Sequence, residues 1–113
     1  MKYDIAIDLA KSAQDKTPVR GFTNNFYRYP ARFSPTFASA AIRLFSKPGD
    51  IVLDPYMGGG TTVVEALLAG RFAIGSDLNS LAVFVTKVKT TRLGSSEKDA
   101  LCRWAEQTIP QLK

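Results

Sequence analysis

The sequence of 113 residues contains no histidine and a single cysteine, Cys102. The absence of histidine excludes Ser-His-Asp triads, histidine acid-base catalysis and most zinc sites. One cysteine cannot form an internal disulfide, which is typical of a protein from the reducing cytoplasm. No apolar run approaches the roughly 20 residues that span a bilayer, and the N-terminus lacks the apolar segment of a signal peptide. We therefore expect a cytoplasmic protein with no membrane partner.

Acidic residues are missing from the stretch between Lys16 and Gly49, and the chain as a whole has a net charge of +5. The stretch holds six basic residues, interleaved in its first half with aromatic ones: Lys16, Arg20, Arg28, Arg32, Arg43 and Lys47, with Phe22, Phe26, Tyr27, Tyr29 and Phe33. Cationic side chains bind phosphates and aromatic rings stack on bases, which favours a nucleic-acid partner. The same composition also fits a soluble protein whose aromatic residues form a core, because modest basicity alone is a weak signal.

The hydrophobic pattern predicts helices that alternate with strands. The predicted elements are a short helix near 5–13, a helix from 34–35 to 46, a strand at 51–54, a helix from 61 to 69, a strand at 71–76, a helix at 80–89 and a last helix from 95 to 110. The expected apolar faces are Phe37, Ala41, Leu44 and Phe45 on the second helix and Leu81, Phe84, Val85 and Val88 on the fourth. Strands alternating with helices form a parallel sheet with right-handed crossovers, so we expect an α/β fold.

The predicted organisation is a loop-rich segment at 1–33, a strand–helix–strand–helix core at 34–92 and a C-terminal helix at 93–113. Only two strands are convincing. A two-stranded sheet is not stable on its own without generous cover, and an unpaired apolar edge invites aggregation. We therefore expect the fold to be incomplete, with few strands and flanking helices.

A glycine-rich motif follows the first predicted strand. The apolar run 51–53 leads to Asp54, and three consecutive glycines and two threonines then open a predicted helix. Glycine lets the backbone approach a ligand closely, and a helix N-terminus offers unpaired N–H groups. The second strand ends in another acid, Asp77. Because ligands of parallel sheets bind at the carboxyl ends of the strands, the two acids and the glycines predict one ligand site.

Three classes of ligand are candidates for this motif. A nucleoside-triphosphate loop ends in Gly-Lys-Ser/Thr, but here Thr61 follows the last glycine. A dinucleotide fingerprint needs a third small residue where Val63 stands. A methyl donor, S-adenosylmethionine, needs neither, since Asp77 can accept both ribose hydroxyls, Asp54 can hold the ammonium and the glycine backbone can approach the methionine portion. Taken alone, the glycines also fit a tight turn, and Asp77 fits a helix N-cap.

Three blocks of the sequence carry a family resemblance: Tyr29-Pro30-Ala31-Arg32-Phe33, then Asp54-Pro55-Tyr56-Met57-Gly58-Gly59-Gly60-Thr61-Thr62, then Gly75-Ser76-Asp77-Leu78-Asn79. In this order they resemble the S-adenosylmethionine-dependent DNA amino-methyltransferases, which methylate adenine N6 or cytosine N4, over roughly residues 22–92. The resemblance implies a partial Rossmann-like methyltransferase fold. The cofactor-binding residues that it implies are Tyr29, Pro30, Ala31, Phe33, Asp54, Pro55, Tyr56, Gly58, Gly60, Thr61, Thr62, Asp77 and Leu78.

The family's catalytic motif, Asp/Asn/Ser-Pro-Pro-Tyr/Phe, is absent, since the sequence has no Pro-Pro pair. The resemblance therefore implies the cofactor-binding portion of a truncated or split enzyme, with no catalytic residue of its own. It implies DNA as the partner of the complete enzyme, a partner chain or a missing C-terminal half, a possible oligomer and a place in restriction–modification. The alternatives are a fragment of a tRNA guanosine methyltransferase and an inactive remnant that binds S-adenosylmethionine.

Overall fold

The computed structural model describes residues 2–17, 23 and 33–112. Its elements in chain order are α1 (Lys2–Gln14), α2 (Pro35–Phe45), β1 (Ile51–Asp54), α3 (Thr61–Leu68), β2 (Phe72–Gly75), α4 (Ser80–Thr90) and α5 (Ser95–Thr108), followed by a 3-10 turn (Ile109–Gln111). The hydrophobic pattern predicted each helix and strand in this order. The β1 bounds agree with the sequence, and β2 is one residue shorter at each end.

β1 and β2 form a parallel pair, and α3 is the crossover between them. Ile51 lies opposite Phe72, and the register continues to Asp54 opposite Gly75. Within the part of the chain that the structure describes, the sheet has these two strands. The α/β class, the parallel sheet and the small number of strands are confirmed.

The helices pack in a chain of neighbours, with α1 on α2, α2 on α3, and α3 on both strands and α4. The buried apolar residues are few and mostly small: Ala38, Ile42, Met57, Val63, Val64, Ala66, Ala82 and Val85. The radius of gyration is 16.6 Å, whereas a compact domain of this length has about 13 Å. The core is therefore thin for the length of the chain.

One face of the sheet is open to solvent. Side chains alternate between the two faces of a strand, so Ile51 and Leu53 share a face with their neighbours Phe72 and Ile74. These four side chains are 65%, 64%, 66% and 54% exposed, respectively. We call them the open sheet face. Burying the exposed part of each would contribute about 1–2 kcal/mol, so this face is suited to be covered by further protein.

The apolar face that the sequence predicted for α4 is wrong. Leu81, Phe84 and Val88 are 44%, 64% and 47% exposed, and only Val85 of that set is buried. The residues that α4 buries are Ala82, Val85, Thr86 and Lys89. Two of these side chains, Thr86 and Lys89, contact the glycine-rich segment 58–60, so the buried face of α4 is the one that meets this loop.

The predicted face of α2 also differs from the packed one. Ala38 and Ile42 are the buried residues of this helix, and they were not in the predicted set. Phe45, which was in it, is 70% exposed. A cavity of about 350 Å³ lies between α2 and β1 beside Phe45 and Ile51, so the bulky side chains border an open groove.

A buried arginine joins the end of α2 to the start of β2. Arg71 is 8% exposed and donates to the Ser46 carbonyl at 2.7 Å and to the Ser46 hydroxyl at 3.0 Å, as well as to the Ala69 carbonyl. Burying a charge is costly unless it is hydrogen-bonded, and carbonyls at a helix C-terminus attract cations. Arg71 therefore fixes the position of α2 beside the sheet.

The C-terminal helix has no buried residue, and its Leu101 and Trp104 side chains are 57% and 59% exposed. A glycine N-cap precedes it, and the Glu97 carboxylate accepts the Gly94 N–H at 2.7 Å. Local capping rather than tertiary packing stabilises this helix. Of the helices that the structure describes, none has the length and apolar character needed to cross a membrane.

Candidate functional site

The carboxyl ends of β1 and β2 lie side by side, and two hydrogen bonds join the segments that leave them. The Ser76 N–H donates to the Asp54 carbonyl at 2.9 Å, and the Met57 N–H donates to the Ser76 carbonyl at 3.0 Å. The loop after β1 is thereby held against the segment after β2. This edge is where parallel sheets bind their ligands.

The glycine loop, residues 58–60, connects this edge to α3. Gly58 and Gly60 have φ angles of +50° and +76°, which lie in the left-handed region that favours glycine. The Gly60 N–H donates to the Met57 carbonyl at 2.8 Å. A Cβ atom at Gly60 would lie 2.8 Å from Thr86 Cγ2 and closer still to its Oγ1. Both the backbone conformation and the lack of space therefore require glycine at this position.

Asp77 joins the glycine loop to the start of α4. Its Oδ2 accepts the Gly58 N–H at 2.9 Å, and its Oδ1 accepts the Asn79 N–H at 2.8 Å. The hydrogen bond from Asn79, followed by that from Gly58, lowers the pKa of Asp77 below its usual value of 3.8. The group is therefore a carboxylate at neutral pH. Each carboxylate oxygen has about two acceptor positions, so both retain capacity for a further donor.

The N-terminus of α3 opens at the same place. Gly60 precedes the helix without a side-chain cap, Thr61 is buried and Thr62 is half-buried. The first N–H groups of a helix have no partner within the helix, and they carry the positive end of its dipole. This helix start can therefore bind a carboxylate or another small anion.

A cavity of about 300 Å³ lies in front of the loop and the helix start. Its lining residues are Phe33, Asp54, Tyr56, Met57, Gly58, Thr61 and Thr62. Asp54 Oδ1 accepts the Tyr56 N–H at 3.1 Å, and the Phe33 ring lies 5.8 Å from the Phe37 ring, centroid to centroid. The cavity is thus lined by the Asp54 carboxylate, the start of α3 and the rings of Phe33 and Tyr56. This set suits a small ligand with one positive group, one negative group and an apolar part.

Comparison with known families identifies this arrangement. The sequence model of the DNA methylase family of the N6/N4 type matches residues 8–87. The chain belongs to this DNA methylase family. The matched region contains both strands, the glycine loop, α3 and most of α4, so every residue that lines the cavity lies within it, and so does Asp77.

Individual relatives are much longer than this chain. It is 29% identical over 89 residues to the type II methyltransferase M.MjaII of Methanocaldococcus jannaschii, covering 79% of this chain and 16% of the relative. It is 35% identical over 115 residues to the type II methyltransferase M.MvaI of Kocuria varians, covering 92% of this chain and 25% of the relative. A solved structure, described as a putative DNA modification methylase of Thermus thermophilus complexed with S-adenosyl-L-methionine, is 39% identical with a TM-score of 0.48, covering 50% of this chain and 23% of that chain. The chain thus spans a quarter or less of the length of these proteins.

The structure brings together part of the residue set expected from the sequence. The cavity lining includes Phe33, Asp54, Tyr56, Gly58, Thr61 and Thr62. Gly60 and Asp77 are not among the lining residues, and both shape the loop. Pro55 and Leu78 are exposed and do not line the cavity. Tyr29, Pro30 and Ala31 lie outside the described residues. The cofactor roles of all these residues stay predictions.

Sequence reasoning missed three residues at this site. Met57 lines the cavity, and the Thr86 and Lys89 side chains of α4 reach the carbonyls of Gly58 and Gly59. The signal was available for α4, because Thr86 and Lys89 are three residues apart and therefore share a helix face with Ala82. Polar side chains on the same face as a buried alanine indicate a polar partner beneath the helix.

Acid is expected to destabilise the chain in part through Asp77. Because the pKa of this group is lowered by folding, its contribution to stability is fully present well above pH 3.8 and is lost as the pH falls through the lowered folded-state pKa. Thermal unfolding of the wild type and of Asp77→Asn, from neutral pH down to about pH 2, measures this. We expect the difference in Tm between the two proteins to shrink below about pH 4.

Asp15 does not affect the Tm difference between the wild type and Asp77→Asn. A hydrogen bond from the Thr17 side chain lowers its pKa as well, so it loses its proton-linked contribution in the same pH range. It is present in both proteins and therefore cancels in the difference. A Tm difference that stayed constant down to about pH 2 would show that folding does not lower the pKa of Asp77.

Proposed function

We propose that this chain is the S-adenosylmethionine-binding portion of a DNA methyltransferase that acts on the exocyclic amino group of adenine (N6) or cytosine (N4). The observation that carries the proposal is the convergence of Asp54, the glycine loop and the start of α3 on one cavity, with the ionised Asp77 hydrogen-bonded to the same loop. Family membership over residues 8–87 supports the same ligand. S-adenosylmethionine supplies a methyl group on a sulfonium centre, which an amino group can accept.

The chemistry of the residues present fits this ligand. The carboxylate of Asp54 suits an ammonium group, and the N–H groups at the start of α3 suit a carboxylate. The oxygens of Asp77 retain acceptor capacity for the hydroxyls of a ribose. Triphosphates fit poorly, because two carboxylates repel phosphate and no lysine follows Gly60. The residues of this chain would thus bind and orient the donor and leave the target base to other residues.

We further propose that the target base is bound outside this chain. The chain has no Pro-Pro-aromatic motif, and it spans 16% and 25% of two relatives whose names describe methyltransferases. Truncation and a split between two polypeptides both account for these facts. In either case DNA is the substrate of the completed enzyme, in a cytoplasmic restriction–modification system.

Calorimetry tests the cofactor proposal directly. S-adenosylhomocysteine lacks the reactive methyl group, and we expect the 113-residue chain to bind it with a stoichiometry of one. ATP and NADH are the comparison ligands, because the sequence excluded their loops, and we expect no heat from either. A folded chain that fails to bind S-adenosylhomocysteine would overturn the proposal.

A methyl-transfer assay distinguishes a DNA methyltransferase from a tRNA methyltransferase and from an inactive remnant. We expect the chain alone to transfer no labelled methyl group from S-adenosylmethionine to any nucleic acid. Together with the portion that carries a Pro-Pro-aromatic motif, we expect it to label DNA. Labelling of tRNA in place of DNA would favour the tRNA guanosine methyltransferase, and cofactor binding without any transfer by the completed protein would favour an inactive remnant.

The open sheet face leads to a prediction about the isolated chain. Leu53 and Phe72 lie on the two adjacent strands of this face and are 64% and 66% exposed. Changing both to threonine is expected to alter the free energy of unfolding by less than about 1 kcal/mol, because surface substitutions cost little. We also expect the double variant to self-associate less than the wild type in sedimentation velocity experiments, because apolar sheet surface drives association.

A matched control is Val63→Thr in α3. Val63 is 8% exposed, so a hydroxyl there is expected to cost about 1–3 kcal/mol. If the double variant lost as much stability as Val63→Thr, the face would already be covered in the isolated chain. If it associated as strongly as the wild type, the open sheet face would not be the surface that attracts further protein.

A further inference from the structure

A buried lysine of α4 contacts the glycine loop from behind. Lys89 is 5% exposed, and its Nζ donates to the Gly59 carbonyl at 2.6 Å, across 30 positions of sequence. An ammonium in the interior is costly unless hydrogen bonds compensate it. Charge-assisted hydrogen bonds of this length are among the stronger ones in proteins. Lys89 therefore has a defined position, and the carbonyl that it contacts belongs to the loop at the candidate site.

The contact fixes a peptide plane that glycine would otherwise leave mobile. The peptide between Gly59 and Gly60 is planar. Its carbonyl accepts from Lys89, and its N–H donates to the Met57 carbonyl at 2.8 Å. The plane is thus held at both edges. Three consecutive glycines have more conformational freedom than any other tripeptide, so a contact that restricts them has an effect beyond its own strength.

Thr86 extends the contact by one helical turn. Its Oγ1 lies 3.5 Å from the Gly58 carbonyl oxygen, a long hydrogen bond. The side chain is 6% exposed and occupies the space that a Cβ at Gly60 would need. On the other side of the loop, Asp77 accepts the Gly58 N–H. The loop is therefore held between α4 and Asp77, with carbonyls directed to the helix and an N–H directed to the acid.

We infer that Lys89 is a positioning residue for the methyl-donor loop: by holding the Gly59 carbonyl, it keeps the glycine loop in the conformation that binds the donor, and it thereby sets the affinity for that donor. The inference rests on the proposed function. Lys89 does not line the cavity and is not a catalytic residue. Lys89 acts through the loop backbone. It holds the Gly59 carbonyl toward α4, and this keeps a carbonyl oxygen away from the start of α3, where the carboxylate of the methionine portion is proposed to bind.

The competing explanation is that Lys89 only stabilises the packing of α4. Val85 provides the matched control, because it lies one turn earlier on the same buried face and is 7% exposed. Val85→Ala removes packing from α4 without removing a contact to a loop carbonyl. A purely structural role predicts that Lys89 and Val85 variants of equal Tm bind the donor equally.

The experiment compares S-adenosylhomocysteine affinity by calorimetry with Tm in the 113-residue chain. We expect Lys89→Met, which keeps an unbranched apolar chain one atom shorter and removes the charge and donors, to bind at least about tenfold more weakly than Val85→Ala. We expect Lys89→Arg, which keeps charge and donors, to recover part of this loss. If Lys89→Met lowers Tm too far for calorimetry, Lys89→Gln, which removes the charge and keeps a shorter polar side chain, is compared with Val85→Ala in its place.

Amide hydrogen exchange gives a readout that needs no ligand. We expect the Gly60 N–H to exchange faster in Lys89→Met than in Val85→Ala, because the peptide plane loses one of its two contacts. Equal exchange rates together with equal affinities in these two variants would overturn the inference. If the wild type binds no S-adenosylhomocysteine, the proposed function fails and the donor role of Lys89 fails with it. Faster Gly60 exchange in Lys89→Met would still support the contact between Lys89 and the loop.

Discussion

Replacing Asp77 with alanine is expected to weaken S-adenosylhomocysteine binding by about a hundredfold or more, because contacts to the backbone and to the ligand are lost together. The carboxylate accepts the Gly58 and Asn79 N–H groups. Without it, the glycine loop loses its tie to the start of α4, and the proposed ribose contact disappears at the same time. Calorimetry of the wild type and the variant measures the change.

The control for this prediction is Asp50→Ala. Asp50 also accepts a backbone N–H through its carboxylate, from Lys47 at 2.8 Å, but it lies at the amino end of β1, away from the cavity. We expect this variant to lose some stability and to keep its affinity. Asp77→Asn completes the set, since its amide can replace one acceptor but turns a donor toward the other N–H. If Asp77→Ala bound like Asp50→Ala, the ribose assignment would be wrong.

Replacing Gly60 with alanine is expected to destabilise the fold by about 2–5 kcal/mol, the sum of a conformational and a steric cost. A left-handed conformation costs a residue with a Cβ about 1–2 kcal/mol, and Gly60 has a φ of +76°. Overpacking adds about 1–3 kcal/mol, since the new Cβ would lie 2.8 Å from Thr86 Cγ2 and closer still to its Oγ1. Denaturant unfolding followed by circular dichroism measures the loss.

Gly49→Ala separates the two causes. Gly49 has a φ of +90°, and no atom lies within 4 Å of the position that its Cβ would take, so it should show the conformational cost alone, about 1–2 kcal/mol. Most of the steric part at Gly60 should be recovered in the double variant Gly60→Ala/Thr86→Ala, which removes Oγ1 and Cγ2 of Thr86 and leaves its Cβ at 3.0 Å. A loss at Gly60 no larger than that at Gly49 would show that the loop moves away from α4 without cost.

The local features of the fold were predictable from the sequence because their signals are local. The apolar run at β1, the proline after Ser34 and the glycine after α3 each act within a few residues. The β2 strand was predicted one residue too long at each end, because Arg71 and Ser76 lie outside the paired register, and the Arg71 side chain binds the end of α2.

The packed faces of the helices were not predictable in the same way. Periodicity finds apolar stripes, but it does not say which stripe meets a neighbour when a helix has more than one. On α4 the bulky residues Phe84 and Val88 remain exposed, while the small and polar residues Ala82 and Thr86 are buried. The glycine loop beneath the helix decides which face is buried. Thr86 packs against Gly60, and the Lys89 ammonium binds the Gly59 carbonyl. That information comes from the glycine loop, which lies far earlier in the sequence than the helix that covers it.

The single crossover between β1 and β2 has a consequence for gene architecture. Both strands, the loop, α3 and Asp77 follow one another without interruption between Ile51 and Asp77, and Lys89 comes one helix later. A recombination breakpoint before Ile51 or after Lys89 leaves the contacts of the glycine loop with Asp77, Thr86 and Lys89 intact. A segment with these bounds can be moved to either end of a longer reading frame, or encoded as a separate polypeptide, together with the contacts that hold its binding loop.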